Sequence, residues 1–261
     1  MSALALLLVA VGLTDLVAAR DGSRPTIGRL AGTLVGLTSI AALALLADLD
    51  GWGDVALLGV VGVTTGAWAV LVDRAERSDS AQGLALAALA AGVGVTVLFS
   101  GWASNVAGPL ARWLDWSGIT ALGAIDPTRA VLLLGLFLTQ LSTGNAVVRL
   151  VLARTGALDP RGGPQAADRL RGGRLLGPME RVFILGLGLA GQVTAASVVI
   201  AAKGLIRWPE LQRASRDSER REQAASDGTA APIDQVTEYF LIGSFVSWLV
   251  ALAALAVAHL A

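Results

Sequence analysis

Five ionisable side chains lie within or at the edge of apolar stretches of this chain: Asp15, Arg149, Glu180, Lys203 and Glu238. A charge in hydrocarbon is costly, and such residues mark ion or solute paths, proton relays or counter-charges to a ligand. The carboxylates Asp15, Glu180 and Glu238 can supply negative charge to a cation or exchange a proton. Lys203, with Arg174, Arg181 and Arg207 nearby in sequence, can hold an anion. The competing reading is that Arg149, Arg181 and Lys203 lay their aliphatic stems along apolar surface and put the charge at the interface. Lys203 is the sole lysine among 20 Lys and Arg residues. An ammonium is a compact point charge whose proton affinity responds to burial, which a guanidinium's does not. Asp15 and Arg149 fall toward the same membrane side, and an ion pair between them is expected.

A second group is the polar run Thr139-Gln140-Leu-Ser142-Thr143-Gly144-Asn145, in the middle of an apolar segment. Hydrocarbon offers these side chains no hydrogen-bond partners. They either line a solute path, with Gln140 and Asn145 as its polar walls, or join packed helices by hydrogen bonds.

A third is Gly172-Gly173-Arg174-Leu-Leu-Gly177-Pro-Met-Glu180-Arg181. Paired glycines, an arginine and a helix start can present backbone N–H groups to a phosphate, and a lipid headgroup is the nearest source of one. An ordinary cytoplasmic loop with a cationic anchor fits as well. The run Gly186-Leu-Gly188-Leu-Ala-Gly191 matches G-x-G-x-x-G only formally. Its surroundings are apolar and no strand precedes it, so dinucleotide binding is excluded in favour of close helix packing.

The elements that position these residues follow from composition. Mean hydropathy is +0.67, and only 15% of the 261 residues are charged, against roughly 25% in soluble domains. This places the chain in the membrane class. Cysteine is absent and His259 is the one histidine, so thiolate chemistry, disulfides and a histidine metal site are excluded. No metal and no cofactor are expected. Net charge is zero, which gives nucleic-acid binding no electrostatic basis.

Apolar runs of the roughly 20 residues that cross a bilayer fall at Ala3–Ala19, Ile27–Ala47, Gly53–Val72, Ala81–Gly101, Ala130–Ala153, Val182–Ile206 and Tyr239–Ala261. The first carries Asp15 and no cationic leader, and reads as a retained helix rather than a signal peptide. Arg20, Arg24 and Arg29 fill the first connection, Arg74 and Arg77 the third, and Arg161, Arg169, Arg171 and Arg174 the fifth. The second, Asp48 to Asp54, is acidic. Cytoplasmic loops collect cations, so the N-terminus is expected outside a bacterial inner membrane. Trp52, Trp102, Trp113 and Trp116 then gather at the outer interface, where indole favours the headgroup layer. Trp113 and Trp116, with Leu110 and Leu114, form a short interfacial helix.

The segment Val182–Ile206 has cations on both flanks. Either it crosses once and places residues 207–235 outside, or it turns near Gly186, Gly188 and Gly191 and leaves on the side it entered. In the second case Glu180 and Lys203 share an interface. The fold expected is therefore all-α: one integral membrane domain over residues 1–261, a helical bundle of six or seven transmembrane helices, one of them open to re-entrance. An Arg-rich cytoplasmic loop covers residues 154–181, and a polar, disordered loop covers 207–235.

Three stretches of the C-terminal third carry a resemblance: Gly173-Arg174-Leu-Leu-Gly177-Pro-Met-Glu180-Arg181, Ala201-Ala202-Lys203-Gly-Leu-Ile-Arg207 and Glu238-Tyr239-Phe-Leu-Ile242-Gly243-Ser244. The chain there resembles a family of bacterial polytopic membrane proteins known only as a domain of unknown function. In its first helix that family shows His and then Asp-Phe, where this chain has Gly12-Leu-Thr-Asp15-Leu. The resemblance implies no activity. It picks out Asp15, Arg174, Glu180, Arg181, Lys203, Arg207 and Glu238.

The function expected is binding or transport of a small solute, ion or lipid headgroup at a charged site near the cytoplasmic leaflet. The alternatives are a lipid-modifying intramembrane enzyme, with Glu180 or Glu238 as base, and a non-catalytic subunit of a membrane complex. No nucleophile or metal signature supports an enzyme. Expected partners are membrane lipids and either a second copy or a membrane partner subunit.

Overall fold

A computed structural model describes residues 1–19, 25–78, 80–118, 124–157, 173–202, 205 and 233–261, and these are helical with short turns. The helices are α1 (Ser2–Ala18), α2 (Pro25–Leu46), α3 (Trp52–Ser78), α4 (Gln82–Leu98), α5 (Gly108–Trp116), α6 (Pro127–Leu141), α7 (Thr143–Arg154), α8 (Gly173–Leu189), α9 (Val193–Ala202) and α10 (Ile233–Leu260). A 3-10 turn at Ser100–Trp102 follows α4.

α1 is the central element, and most of its residues are buried. A helix apolar on every side belongs in the middle of a bundle. It packs against α2, α3 and α6, and small residues permit the approach. A Cβ on Gly12 would lie 2.7 Å from Leu138 Cβ, and one on Gly135 would lie 2.8 Å from Leu8 Cβ and 3.0 Å from the Ala5 carbonyl oxygen. Gly32 and Gly36 of α2 rest on Thr14 and Ala10 in the same way. They form a G-x-x-x-G pair, a pattern that brings helix backbones together in lipid.

The two ends of the bundle differ. At one end Asp54 accepts from Ser104 N (2.8 Å) and Ser104 Oγ (2.7 Å), Ser2 donates to the Ser104 carbonyl, and Ala107 N to the Ala47 carbonyl. Trp52, Trp102, Trp113 and Trp116 are all exposed around this tryptophan end. The expected interfacial helix is α5, with Leu114 buried and both tryptophans outward. At the opposite end Arg29 pairs with Asp73 and Glu76, Arg77 with Asp73, and Arg149 with Glu76 at 3.6 Å.

Between the ends, large apolar side chains face outward: Leu30 and Leu34, Val63 and Val70, Phe245, Leu249 and Leu252. Soluble monomers rarely expose patches of this extent. Three helical stretches are long and apolar enough to cross a membrane, Ile27–Leu46, Trp52–Ser78 and Leu241–Leu260, and α6 with α7 makes a fourth if that bent pair is one span. The expected six or seven spans are therefore met by length in three or four cases. α1 and α4 have 17 residues each, about 25 Å at 1.5 Å per residue, against a hydrocarbon layer of about 30 Å. The other two expected spans are broken.

The first break is at Ser142, where α6 and α7 meet at 47°. The second is at Gly191. There Gln192 N bonds to the Leu187 carbonyl (2.8 Å), Gly191 N to the Gly188 carbonyl (3.0 Å), and Gly191 has φ +73°. This is the paired-bond ending in which a glycine takes the left-handed position after the last helical turn. Gly191 thus closes α8 inside the expected segment 182–206, and α9 starts at Val193.

α8 and α10 run side by side and parallel. Arg181 meets Ser247, Glu180 meets Trp248, and Gly188 meets Leu255. Ala258 of α10 lies against Arg129 near the tryptophan end. Both helices therefore point toward that end.

Candidate functional site

The break at Ser142 is built from the polar run recognised in the sequence. Ser142 Oγ donates to the Gly12 carbonyl (2.8 Å) and also contacts the Leu138 carbonyl at 3.0 Å. This ties the break to the central helix. The break gives α6 a free C-terminus and α7 a free N-terminus within the bundle. Helix ends carry unpaired backbone groups and opposite partial charges.

Arg181 occupies the first of these ends. Its Nε and one terminal nitrogen donate to the Gln140 carbonyl at 3.1 and 2.9 Å. The same terminal nitrogen donates to Asn145 Oδ1 (2.8 Å), and the other donates to Ser247 Oγ (3.1 Å). The residue is 1% exposed. A cation at the carbonyl end of a helix is favourably placed, and the guanidinium fork fits such multiple bonds. Gly144 makes the approach possible: a Cβ there would lie 2.6 Å from Nε. Glu180, one residue earlier and also buried, accepts from Trp248 Nε1 at 2.7 Å. Arg181 therefore does not reach the interface by snorkelling. α8 begins at Gly173 rather than Val182, so the last part of the expected 154–181 loop is helix and residues 180 and 181 lie midway along it.

Asp15 lies near the other end. Trp68 Nε1 donates to its two carboxylate oxygens at 3.0 and 3.2 Å. The Thr143 hydroxyl, in the first turn of α7, faces the same carboxyl. It lies outside hydrogen-bonding geometry and has no partner among the described residues. Gln140 Oε1 is likewise buried without a partner. Arg29 and Glu76 are the charges that act on Asp15 from the ion-pair end. The expected Asp15–Arg149 pair does not form: Asp15 takes the Trp68 indole, while Arg149, 63% exposed, reaches Glu76.

Of the sequence-selected residues, the structure brings Gln140, Asn145 and Arg181 together, with Glu180 beside them and Asp15 at the adjoining helix end. Arg149 stands apart at the ion-pair end. Lys203 and Arg207, and the side chains of Arg174 and Glu238, lie outside what the structure describes. Trp68, Thr143, Ser247 and Trp248 complete the arrangement. Sequence reasoning placed Thr143 in the polar run but missed the other three as partners. Tryptophans away from the interfacial belt, at 68 and 248, were the available signal. Among the described residues, no group of three or more acidic or histidine side chains could hold a metal.

Helices of this length and apolar surface, around buried charges at a broken helix, define an all-helical membrane protein. The chain matches no family model, no curated protein and no solved structure, so its chemistry is read from its own residues.

Proposed function

We propose that this chain is a bacterial inner-membrane protein that binds a small ion or solute at the α6–α7 break and carries it to or from the cytoplasmic face. The tryptophan end faces outward and the arginine-rich end faces the cytoplasm, in keeping with the cation bias of cytoplasmic loops. One observation carries the reading. Thr143 Oγ1 and Gln140 Oε1 are buried at the break with no protein partner. A buried unpaired polar atom costs on the order of 1–3 kcal/mol, and interiors leave few. A sequence built only to join helices would satisfy them. Discontinuous helices with ends aimed at charge are where membrane transporters bind their cargo.

The test is thermal unfolding of the purified protein in detergent with sodium, potassium, magnesium, phosphate and acetate in turn, and across a pH series. A bound species, a proton included, raises the midpoint by mass action. The reading expects a selective rise with one of these that is lost in Thr143→Ala and in Asp15→Asn. No selective response to any ion or to pH, or a response that survives both substitutions, contradicts it.

A further inference from the structure

We infer that Asp15 is a proton-exchange site, with Thr143 as its hydrogen-bonding partner. The inference rests on the proposed function and names the ion. Asp15 is 7% exposed, yet among the described residues its carboxyl receives a single N–H donor, the shared Trp68 indole. An ionised carboxylate offers about four acceptor positions and is stable in an interior only when paired and well hydrogen-bonded. Among the described residues no cation lies within ion-pair distance of Asp15. Beside it is a hydroxyl, 4% exposed, with no partner of its own.

These two shortfalls fit one chemistry. A proton taken from water gives the neutral acid, whose O–H can donate to Thr143 Oγ1. Release of the proton to water regenerates the carboxylate, held by Trp68 and by the α7 N-terminus. A metal ion fits poorly. Sodium or calcium takes several oxygen ligands, and the one side chain bonded to this carboxyl among the described residues, Trp68, can only donate.

The charged groups that act on Asp15 are Arg29 of α2 and Glu76 of α3, and these pair with each other at the bundle end; from α7 the nearby group is the neutral Thr143 hydroxyl.

The test is an infrared difference spectrum of the protein in lipid between about pH 5 and about pH 9, a range that spans displaced carboxyl titrations. A protonated-carboxyl C=O band is expected to appear at low pH, to move on incorporation of isotope-labelled aspartate, and to be lost in Asp15→Asn. The label assigns the band without substitution, should Asp15→Asn fail to fold. Thr143→Val should shift the band by removing the acid's hydrogen-bond partner. An aspartate band unaltered in Asp15→Asn, or no aspartate band, overturns the inference. If the unfolding midpoint still responds selectively to one of the ions above, the binding site stands and only the proton assignment falls.

Discussion

The guanidinium of Arg181 closes on the carbonyl oxygen of Gln140 from across the bundle, through two nitrogens at 2.9 and 3.1 Å. A helix broken at Ser142 leaves this carbonyl without its usual backbone donor, and a residue of α8 replaces it. Arg181→Met should therefore lower stability by on the order of 1–3 kcal/mol for each buried acceptor it orphans. Arg181→Lys should recover only part, since an ammonium cannot reach Gln140, Asn145 and Ser247 with the guanidinium's fork. Arg149→Ala, at an exposed pair, should cost under about 1 kcal/mol. Unfolding midpoints of the three variants in one detergent check the ranking. Equal losses would contradict it.

The unpaired atoms at the break predict an unusual sign. At a pH where Asp15 is ionised, Thr143→Val removes a hydroxyl that has no partner and keeps the side chain's shape. It should raise the unfolding midpoint, as should Gln140→Met, while weakening ion-dependent stabilisation. Stability given up at a binding site is a common trade. A lowered midpoint in both variants would mean that the polar groups hold the helices together.

Close approach predicts which glycines tolerate a methyl group. Gly36 rests on Thr14 and Ala10, and Gly144 on Arg181, whereas Gly62 and Gly66 have no atom within 4 Å of a built Cβ. Gly36→Val and Gly144→Ala should sharply reduce the yield of folded protein. Gly62→Ala and Gly66→Ala should be neutral or stabilising by up to about 1 kcal/mol, from helix propensity. Size-exclusion profiles of the four variants distinguish these outcomes.

The parallel run of α8 and α10 predicts sidedness. Both helices point toward the tryptophan end, so the chain leaving Gly191 has to return before α10 begins. With the tryptophan end outside, as proposed, a cysteine at Ser226 in this cysteine-free chain should resist an impermeant maleimide in intact cells. A cysteine at the exposed Asn105 should label. Labelling at position 226 would contradict the arrangement.

The sequence contained much of this bundle. The apolar runs correspond to helices, the polar run Thr139–Asn145 to the break at Ser142, and Gly191 to the end of α8. Hydropathy reads these well because they depend on local composition. It cannot read the phase of α8. Whether Arg181 points into the bundle or out along the bilayer depends on where the helix starts, and the paired glycines and Pro178 obscured a start at Gly173. Nor does spacing reveal that Trp68 rather than Arg149 meets Asp15, because that choice is made by the packing of α1 between α3 and α6. The G-x-x-x-G pair at Gly32 and Gly36 is legible in the sequence as a close-packing pattern.

The central claim is that the α6–α7 break is a site reached from water. It is tested most directly by a cysteine at Thr143, treated in membranes with a small water-soluble thiol reagent. The account predicts modification, while a cysteine at the packed Leu132 stays unreactive. No reaction at position 143 in folded protein would mean a sealed bundle, with the polar residues serving only to join helices.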